Sequence, residues 1–458
     1  MSRSLPVPNA LDLLYGAGLT VASPVLAYNL LRTGKWRSDW RGRLGHAEAL
    51  GHDPRPTVLL HGVSVGEVAA AEPLVTRLGG ADGRGPCRVV VSTTTNTGIA
   101  RARSLYGEHH RVVRYPLDFS RSVARFLDRV RPDVVGLLEL EVWPNFTRAC
   151  EEREIPVVVL NGRLSDESFQ GYRRLRRALA PSFRRLAGVA AQTRSYGERF
   201  EAMGVPPERI EVADSLKWDV PLPRGIREAA VALGRELGVD PERPVVVAVS
   251  TGPGEEERLV QGRPAGVQLV VVPRKPERFD EVAGLASWVR RSGAGVESTD
   301  PARRRASGSA PELFLVDTMG EAEAATVLGD VVIIGRSFNG MGGSNPIPAA
   351  RAGRPVVVGP DHENFADVVT ALVEGGAAVV SSDPWAEAEA ILHDTERRAA
   401  MAAAGPRTAR ARGGAVDVNV SLLRRHLPRA EPPRRRPPGP SVRKSPGWPT
   451  DDGPSPRG

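Results

Sequence analysis

Along most of its length the chain repeats one pattern: a short unbroken apolar run, a polar or glycine-rich turn, then a longer amphipathic stretch. From Thr57 the apolar runs are TVLLHGV, CRVVVST, DVVGLLEL, IPVVVLN and GVAAQT. After about Pro221 the rhythm resumes with PVVVAVST, VQLVVVPR, ELFLVD, DVVIIG and PVVVGP. Continuous Val-, Ile- and Leu-rich runs predict strands buried on both faces, and the helical spacers between them predict parallel sheets covered on each side. Two such series, joined between Lys217 and Pro244, predict an α/β protein of two Rossmann-like domains facing a cleft. In open sheets of this kind ligands lie beyond the carboxyl ends of the strands. Neither series carries G-x-G-x-x-G between strand and helix, nor a P-loop, which argues against a dinucleotide or ATP site.

The ends of the chain break the pattern. The stretch ALDLLYGAGLTVASPVLAYNLLRTGKWRSDWRGR is apolar for about twenty residues, near the length that spans a bilayer, although Asp12, Pro24 and Asn29 interrupt it. Arg32, Lys35, Arg37, Arg41 and Arg43 follow and would hold that end at the cytoplasmic face. A signal peptide cleaved near Val25-Leu26-Ala27 and a buried core helix are competing readings. The pattern favours an uncleaved membrane anchor or interfacial helix over residues 1–36. The last stretch, from Leu427 to Gly458, is proline- and arginine-rich; it cannot bury a core and is expected to be disordered. Domains are therefore expected at 37–222 and 223–426.

Composition narrows the partners. With 458 residues, 41% hydrophobic and 25% charged, the chain is globular and long enough for more than one core. The net charge of +8 permits anionic partners, but much of the excess lies in the tail. No basic recognition element stands out in the folded part, so nucleic acid is disfavoured. Cys87 and Cys150 alone make no disulfide framework, and the histidines are unclustered, so no metal site is expected. Lysine is the informative residue. Only Lys35, Lys217, Lys275 and Lys444 occur among 62 basic residues. A compact ammonium kept where arginine is the rule marks Lys217 and Lys275 as candidates.

Candidate chemistry gathers at strand-to-helix junctions. In LLHGVSVGEVAAAEPL, Glu67 falls on the first turn of a helix, where a carboxylate can be a routine partner of the helix dipole or a general base at the mouth of a cleft. GLLELEVWPNF puts Glu139, Glu141 and Trp143 on one face if the strand continues through them. LNGRLSDESFQGYRR offers Asn161, Arg163 and Ser165 as a hydrogen-bonding set for a polar or phosphorylated acceptor, or else as a solvated loop. In the second half, STGPGEEERLV, VVVPRKPERFDEV, LVDTMGEAEAATVL and GMGGSNPIPAARAG each place a turn before a helix start, with Asn345 the expected N-cap of the last. Amides at helix starts bind phosphate without a metal, so these junctions favour a nucleotide-phosphate site over ordinary turns.

Taken together, the segments HGVSVGE, LELEVWPN, LNGRLSDESFQGY, AAQTRSYGERFEAMGV, SLKWD, STGPGEEE, VVPRKPERF, VDTMGE and GGSNPIPAARAGRPVVVGPDHENF resemble, in content and order, the Kdo transferases, which load 3-deoxy-D-manno-octulosonic acid (Kdo) onto lipid A precursors. The resemblance covers most of the chain between Leu14 and Asp367. It implies a GT-B glycosyltransferase with a membrane-associated N-terminal helix, at the cytoplasmic face of the inner membrane. The implied reaction is inverting, independent of metal and cofactor, and moves Kdo from CMP-Kdo to a lipid A precursor such as lipid IVA. Matched residue by residue, Glu67 corresponds to the family's catalytic base, and Glu139 and Lys217 to groups assigned to transition-state stabilisation. Pro273, Arg274, Met319, Gly320, Glu321, Asn345 and Pro346 correspond to segments that hold CMP. The chain departs from the family in the donor half. Ser344 and Lys275 stand where the family has histidine, Pro348 where it has glutamate, STGPGEE where it has S-T-H-E-G-E-E, and Arg336 interrupts a G-G-S. Those departures leave open a GT-B transferase with another nucleotide sugar, or a membrane-associated binding protein that has lost catalysis.

Overall fold

A computed structural model describes residues 6–13, 15–17, 39–293 and 312–428. The expected membrane anchor over 1–36 and the tail from 427 fall largely outside them. Among the described residues no helix is long and apolar enough to cross a membrane. Residues 10–13 and 15–17 are helical and are tied to the first sheet's covering layer. The Asp12 carboxylate accepts the Ser120 N–H (2.9 Å) and an Asn145 side-chain N–H (3.1 Å), and the Tyr15 hydroxyl donates to Asp118 (3.2 Å).

The first sheet contains β1 (Thr57–His61), β2 (Arg88–Thr93), β3 (Arg111–Arg114), β4 (Val134–Leu138), β5 (Val157–Gly162), β6 (Gly188–Ala191) and β7 (Ile210–Val212). All are parallel, in the order β3-β2-β1-β4-β5-β6-β7. The second contains β8 (Val245–Thr251), β9 (Gln268–Pro273), β10 (Val289–Arg290), β11 (Leu313–Leu315), β12 (Val331–Ile334), β13 (Val356–Val358) and β14 (Ala378–Val380). It too is parallel, in the order β10-β11-β9-β8-β12-β13-β14. Each sheet has an apolar core on both faces, which is why its central strands read as unbroken apolar runs. The ten unbroken apolar runs of the sequence are those central strands. The four strands without such a run, β3, β7, β10 and β14, are the four sheet edges. An edge strand needs little apolar surface, and RVVR, IEV and VR carry charges there.

In both sheets the strand order reverses beside the first strand of the series, between β1 and β4 and between β8 and β12. That reversal opens a crevice at the carboxyl ends of those strands. Among the described residues seven non-glycine positions have left-handed φ, and Glu139, Asn161, Asp214, Ser250 and Arg336 lie at or just past strand carboxyl ends. Backbone strain is thus concentrated where ligands of such sheets bind.

The final helix, Ala415–Arg425, belongs by sequence to the expected second domain, yet packs on the first sheet. Val416, Val420, Leu422 and Leu423 join the core that contains Leu60, Leu138 and Leu160. Asp219 caps its start, accepting the Gly414 N–H (2.8 Å) and the Val416 N–H (2.7 Å). Buried Asn419 accepts the Asn161 backbone N–H (2.9 Å).

Candidate active site

Glu67 follows β1 on the helix Val65–Ala70. Ser64 caps that helix, its hydroxyl accepting the Glu67 N–H at 3.2 Å, and the Glu67 carboxylate returns to accept the N–H groups of Val63 (2.8 Å) and Ser64 (3.2 Å). This is a capping box, so the carboxylate does serve the helix start. It is also held in one orientation by doing so. A carboxylate offers about four acceptor directions, and the two backbone donors leave capacity for a hydroxyl proton. Gly62 makes room: a Cβ there would lie 3.0 Å from a Leu138 methyl and 3.1 Å from the Glu67 Cβ.

Glu139 stands across the strand reversal from Glu67, immediately past β4. The strand does not continue through the LELEVW segment. Glu139 takes φ +60°, so the expectation of one shared face for Glu139, Glu141 and Trp143 is not met by alternation. The kink is fixed from both sides: the Glu139 N–H donates to the Leu160 carbonyl (2.9 Å), and the Arg163 N–H donates to the Glu139 carbonyl (3.4 Å). Burial raises the Glu139 carboxyl above its ordinary value; Lys217 opposes that shift, Glu67 adds to it, and Arg163 opposes it.

Lys217 arrives from beyond β7 on the single 3₁₀ turn Leu216–Trp218. Burial lowers its ammonium pKa, countered by Glu139, pushed further by Arg163 and countered by Glu67. Two acids and two cations from four separate strand ends therefore face one another: Glu67, Glu139, Arg163 and Lys217. Asn161, expected as an acceptor ligand, is buried and acts inside the protein instead. Its side-chain oxygen accepts the Leu216 N–H (2.9 Å), and its carbonyl accepts from Gln192 (3.0 Å), so it positions the turn that carries Lys217. Ser165 caps the helix Asp166–Arg174, accepting the Ser168 N–H at 3.3 Å. Of that expected set only Arg163 lines the cavity between the two sheets, with Lys217, Tyr196, Phe365, Asp367 and Arg412.

Sequence reasoning did not single out the contacts that close this cavity. The Tyr196 hydroxyl donates to Asp367 across it (3.0 Å), and Arg412 reaches Asp214 (3.3 Å). Tyr196 lies within a quoted motif, but nothing in its spacing reveals a partner 171 residues away. Nor did it foresee the His61 arrangement. Buried His61 stacks on Tyr115 (3.6 Å between centroids), with Nδ1 3.1 Å from the Ser92 carbonyl and hydroxyl oxygens. Burial holds its pKa down to about 3. Its other nitrogen lies 4.0 Å from Glu141, which accepts the Trp143 indole N–H at 2.8 Å.

The second sheet presents a tighter edge. Glu255, the first residue of the helix Glu255–Gly262, accepts the N–H groups of Gly252 (2.8 Å), Arg336 (2.6 Å) and Phe338 (3.0 Å). One amide of the STGPGEEE turn, that of Gly252, is therefore taken by the protein's own carboxylate, which ties the β8 and β12 loops together. Pro273 closes β9, and the Arg274 N–H donates to Thr251 (3.1 Å) while its side chain stays exposed. Met319 is exposed, and Gly320 takes φ +90°. Glu321 is engaged by Arg291 through both oxygens at 3.0 Å. The helix Ile347–Arg351 starts one residue later than expected, with Pro346 at its cap and the Asn345 side chain accepting the Ile347 N–H (3.1 Å). Pro348, in the first turn, has no group with which to hold a ribose, and Ser344 donates to the Ser250 carbonyl (3.4 Å).

Residues 38–220 match the family model described as 3-deoxy-D-manno-octulosonic-acid transferase (kdotransferase). A 3-deoxy-D-manno-octulosonic acid transferase of Bordetella pertussis is 33% identical over 419 residues, covering 85% of this chain and 92% of that protein. The protein of the same name from Haemophilus influenzae is 30% identical over 391 residues, covering 82% of this chain and 88% of its own. Among solved structures, Anabaena HepE in complex with UDP-glucose superposes with a TM-score of 0.52 at 15% identity, covering 81% of this chain and 98% of that one, a likeness of fold.

Proposed function

The chain belongs to the Kdo transferase family, and from that premise we propose that it transfers Kdo from CMP-Kdo to a lipid A precursor, with lipid IVA the expected acceptor, during lipopolysaccharide synthesis. The observation that carries the proposal is the meeting of Glu67, Glu139, Arg163 and Lys217, from four strand ends, at the cleft between the sheets. In this reading Glu67 takes the proton of the acceptor hydroxyl as that oxygen attacks the anomeric carbon in line, and CMP departs from the opposite face. Inversion follows from the single displacement. Lys217 and Arg163 face the negative charge that the sugar carboxylate and leaving phosphate bring, in a site where burial strengthens the interaction. Glu139, near Lys217, keeps the ammonium charged against its own desolvation.

Pro273, Arg274, Met319 to Glu321, Asn345 and Pro346 are proposed to line the CMP side, with Arg274, whose exposed side chain is free to reach a phosphate, as the main cation. Glu321 would serve through its ion pair with Arg291 rather than as a direct ligand. An acceptor role is retained for Arg163; Asn161 and Ser165 support it by fixing the loop around it. Association with the cytoplasmic face of the inner membrane is proposed through residues 1–36. The deciding experiment is transfer of Kdo from CMP-Kdo, generated in place, to purified lipid IVA, read by mass spectrometry. A Kdo-bearing product that disappears in Glu67→Gln supports the proposal. Transfer from UDP- or GDP-sugars only, or from none, overturns it.

A further inference from the structure

The helices Asp166–Arg174 and Arg176–Arg184 meet at Leu175 and form an unusually charged surface. Between residues 163 and 185 the chain has seven arginines against two acids, Asp166 and Glu167. Arg173, Arg174, Arg176 and Arg177 are all exposed, and among the described residues none of the four makes an ion pair. In their midst Leu175 is 61% exposed. The opposite side of the same helices is ordinary core: Phe169, Tyr172 and Leu179 pack on the first sheet's buried cluster. A helix pair that buries its aromatic residues and turns four unpaired guanidiniums and a leucine outward is built to meet something anionic with an apolar interior.

Two positional facts decide what. First, the surface adjoins the cleft. The helix Asp166–Arg174 leaves β5 through the Arg163–Ser165 loop, and Tyr172 lies close enough to Glu141 for that carboxylate to raise its hydroxyl pKa, after burial. Exposed Trp143 and Val65 lie along the same strand-end edge. Second, a single helix joins this helix pair to the described part of the N-terminal segment, through contacts at its two ends. The helix Pro144–Glu151 is flanked by both: Asn145 accepts an Asn9 side-chain N–H (2.8 Å), while Arg185, just past the second arginine helix, pairs with Glu151 (2.7 Å).

We propose that Arg173, Arg174, Leu175, Arg176 and Arg177 form a docking face for an anionic lipid bilayer, a membrane contact separate from residues 1–36. It rests on the reading of a lipid acceptor, because it explains how the cleft is brought to the plane where such an acceptor lies. Each exposed arginine near an anionic surface adds about fivefold to partitioning, and the contribution falls with salt.

The test uses the full chain, so that the N-terminal segment is present in every sample. Partitioning is measured by sedimentation onto vesicles of phosphatidylcholine alone and of phosphatidylcholine with phosphatidylglycerol, at low and high salt. Wild type should prefer the anionic vesicles by at least about tenfold at low salt and lose that preference at high salt. R173E/R174E/R176E/R177E should abolish the preference while leaving binding to neutral vesicles unchanged; a milder quadruple glutamine variant, with the melting temperature checked, covers the case in which charge reversal disturbs the fold. Undiminished anionic preference in the glutamine variant overturns the proposal. So does loss of transfer to a deacylated, water-soluble acceptor, which would make the cluster an acceptor site, or tighter binding to an oligonucleotide than to the anionic vesicles. Vesicle binding needs no turnover, so the proposal stands or falls separately from the assigned reaction.

Discussion

Lys217 of the first unit meets Phe365 of the second across the cleft, the ammonium nitrogen 5.0 Å from the ring centre. A cation over an aromatic face gains most when both are shielded from water, as here. The ammonium thus has a partner in the second unit while it feels the Glu139 charge of the first, so its position reports on the relation of the two sheets as well as on the chemistry.

Lys217→Arg retains the charge and loses the compact head. A planar guanidinium placed between a ring and a carboxylate presents its charge in a different place, so turnover should fall by at least about tenfold, near 1.4 kcal/mol of barrier. The melting temperature should hardly move. Steady-state kinetics alongside a thermal melt checks both; wild-type kinetics would remove Lys217 from the mechanism.

Glu67→Gln keeps one acceptor oxygen for the capping box and gives up the second of the two backbone bonds that the carboxylate accepts, from Val63 and Ser64. The fold and nucleotide affinity should persist while transfer drops by about two to four orders of magnitude. A glutamine variant that turned over normally would leave Glu67 with its capping role alone.

Asn419→Ala tests the return of the last helix. It removes the acceptor of the Asn161 backbone N–H, which lies in the interior. An unpaired buried donor costs about 1–3 kcal/mol, so urea unfolding should shift by that amount. Because Asn161 also holds the Leu216 turn, the rate should fall with stability, unlike at an ordinary core position.

His61 contributes to the loss of stability in acid. Its folded pKa of about 3 lies below the ordinary 6.5, so the unfolded chain binds a proton that the folded one refuses. The stability it supports is fully present above about pH 6.5 and drains as pH falls toward 3, by about 1.4 kcal/mol per unit. Unfolding free energies of wild type and His61→Gln, compared at pH 7.5 and 5.5, should show a shallower acid loss in the variant. Equal slopes would mean that His61 titrates normally.

The fold was legible where each strand has two neighbours. PVVVAVST and DVVGLLEL must be unbroken because they are buried on both faces, whereas the edge strands RVVR and VR have no such obligation and left no trace. Glu67 stands out in the sequence by its place at a helix start and Lys217 by the rarity of its kind, and the structure brings the two to the same strand-end crevice. The internal role of Asn161 was not legible, because a polar residue at a strand's end can face solvent or hold the backbone, and a left-handed φ of 52° with three internal hydrogen bonds is not written in its spacing. Nor does the look of STGPGEEE reveal that the acid beginning its helix, Glu255, takes the Gly252 amide of that turn together with the Arg336 and Phe338 amides of the β12 loop.

The return of the helix Ala415–Arg425 to the first sheet also imposes a timetable. The strands that it covers are translated some 250 residues earlier than the residues that cover them, as the pair Asn161 and Asn419 shows directly with a separation of 258. Until the ribosome has released nearly the whole chain, Leu60, Leu138 and Leu160 lack part of their apolar roof. The unit made first is consequently among the last to be completed, and during synthesis it presents an open greasy flank for which chaperones, lipid and neighbouring nascent chains compete.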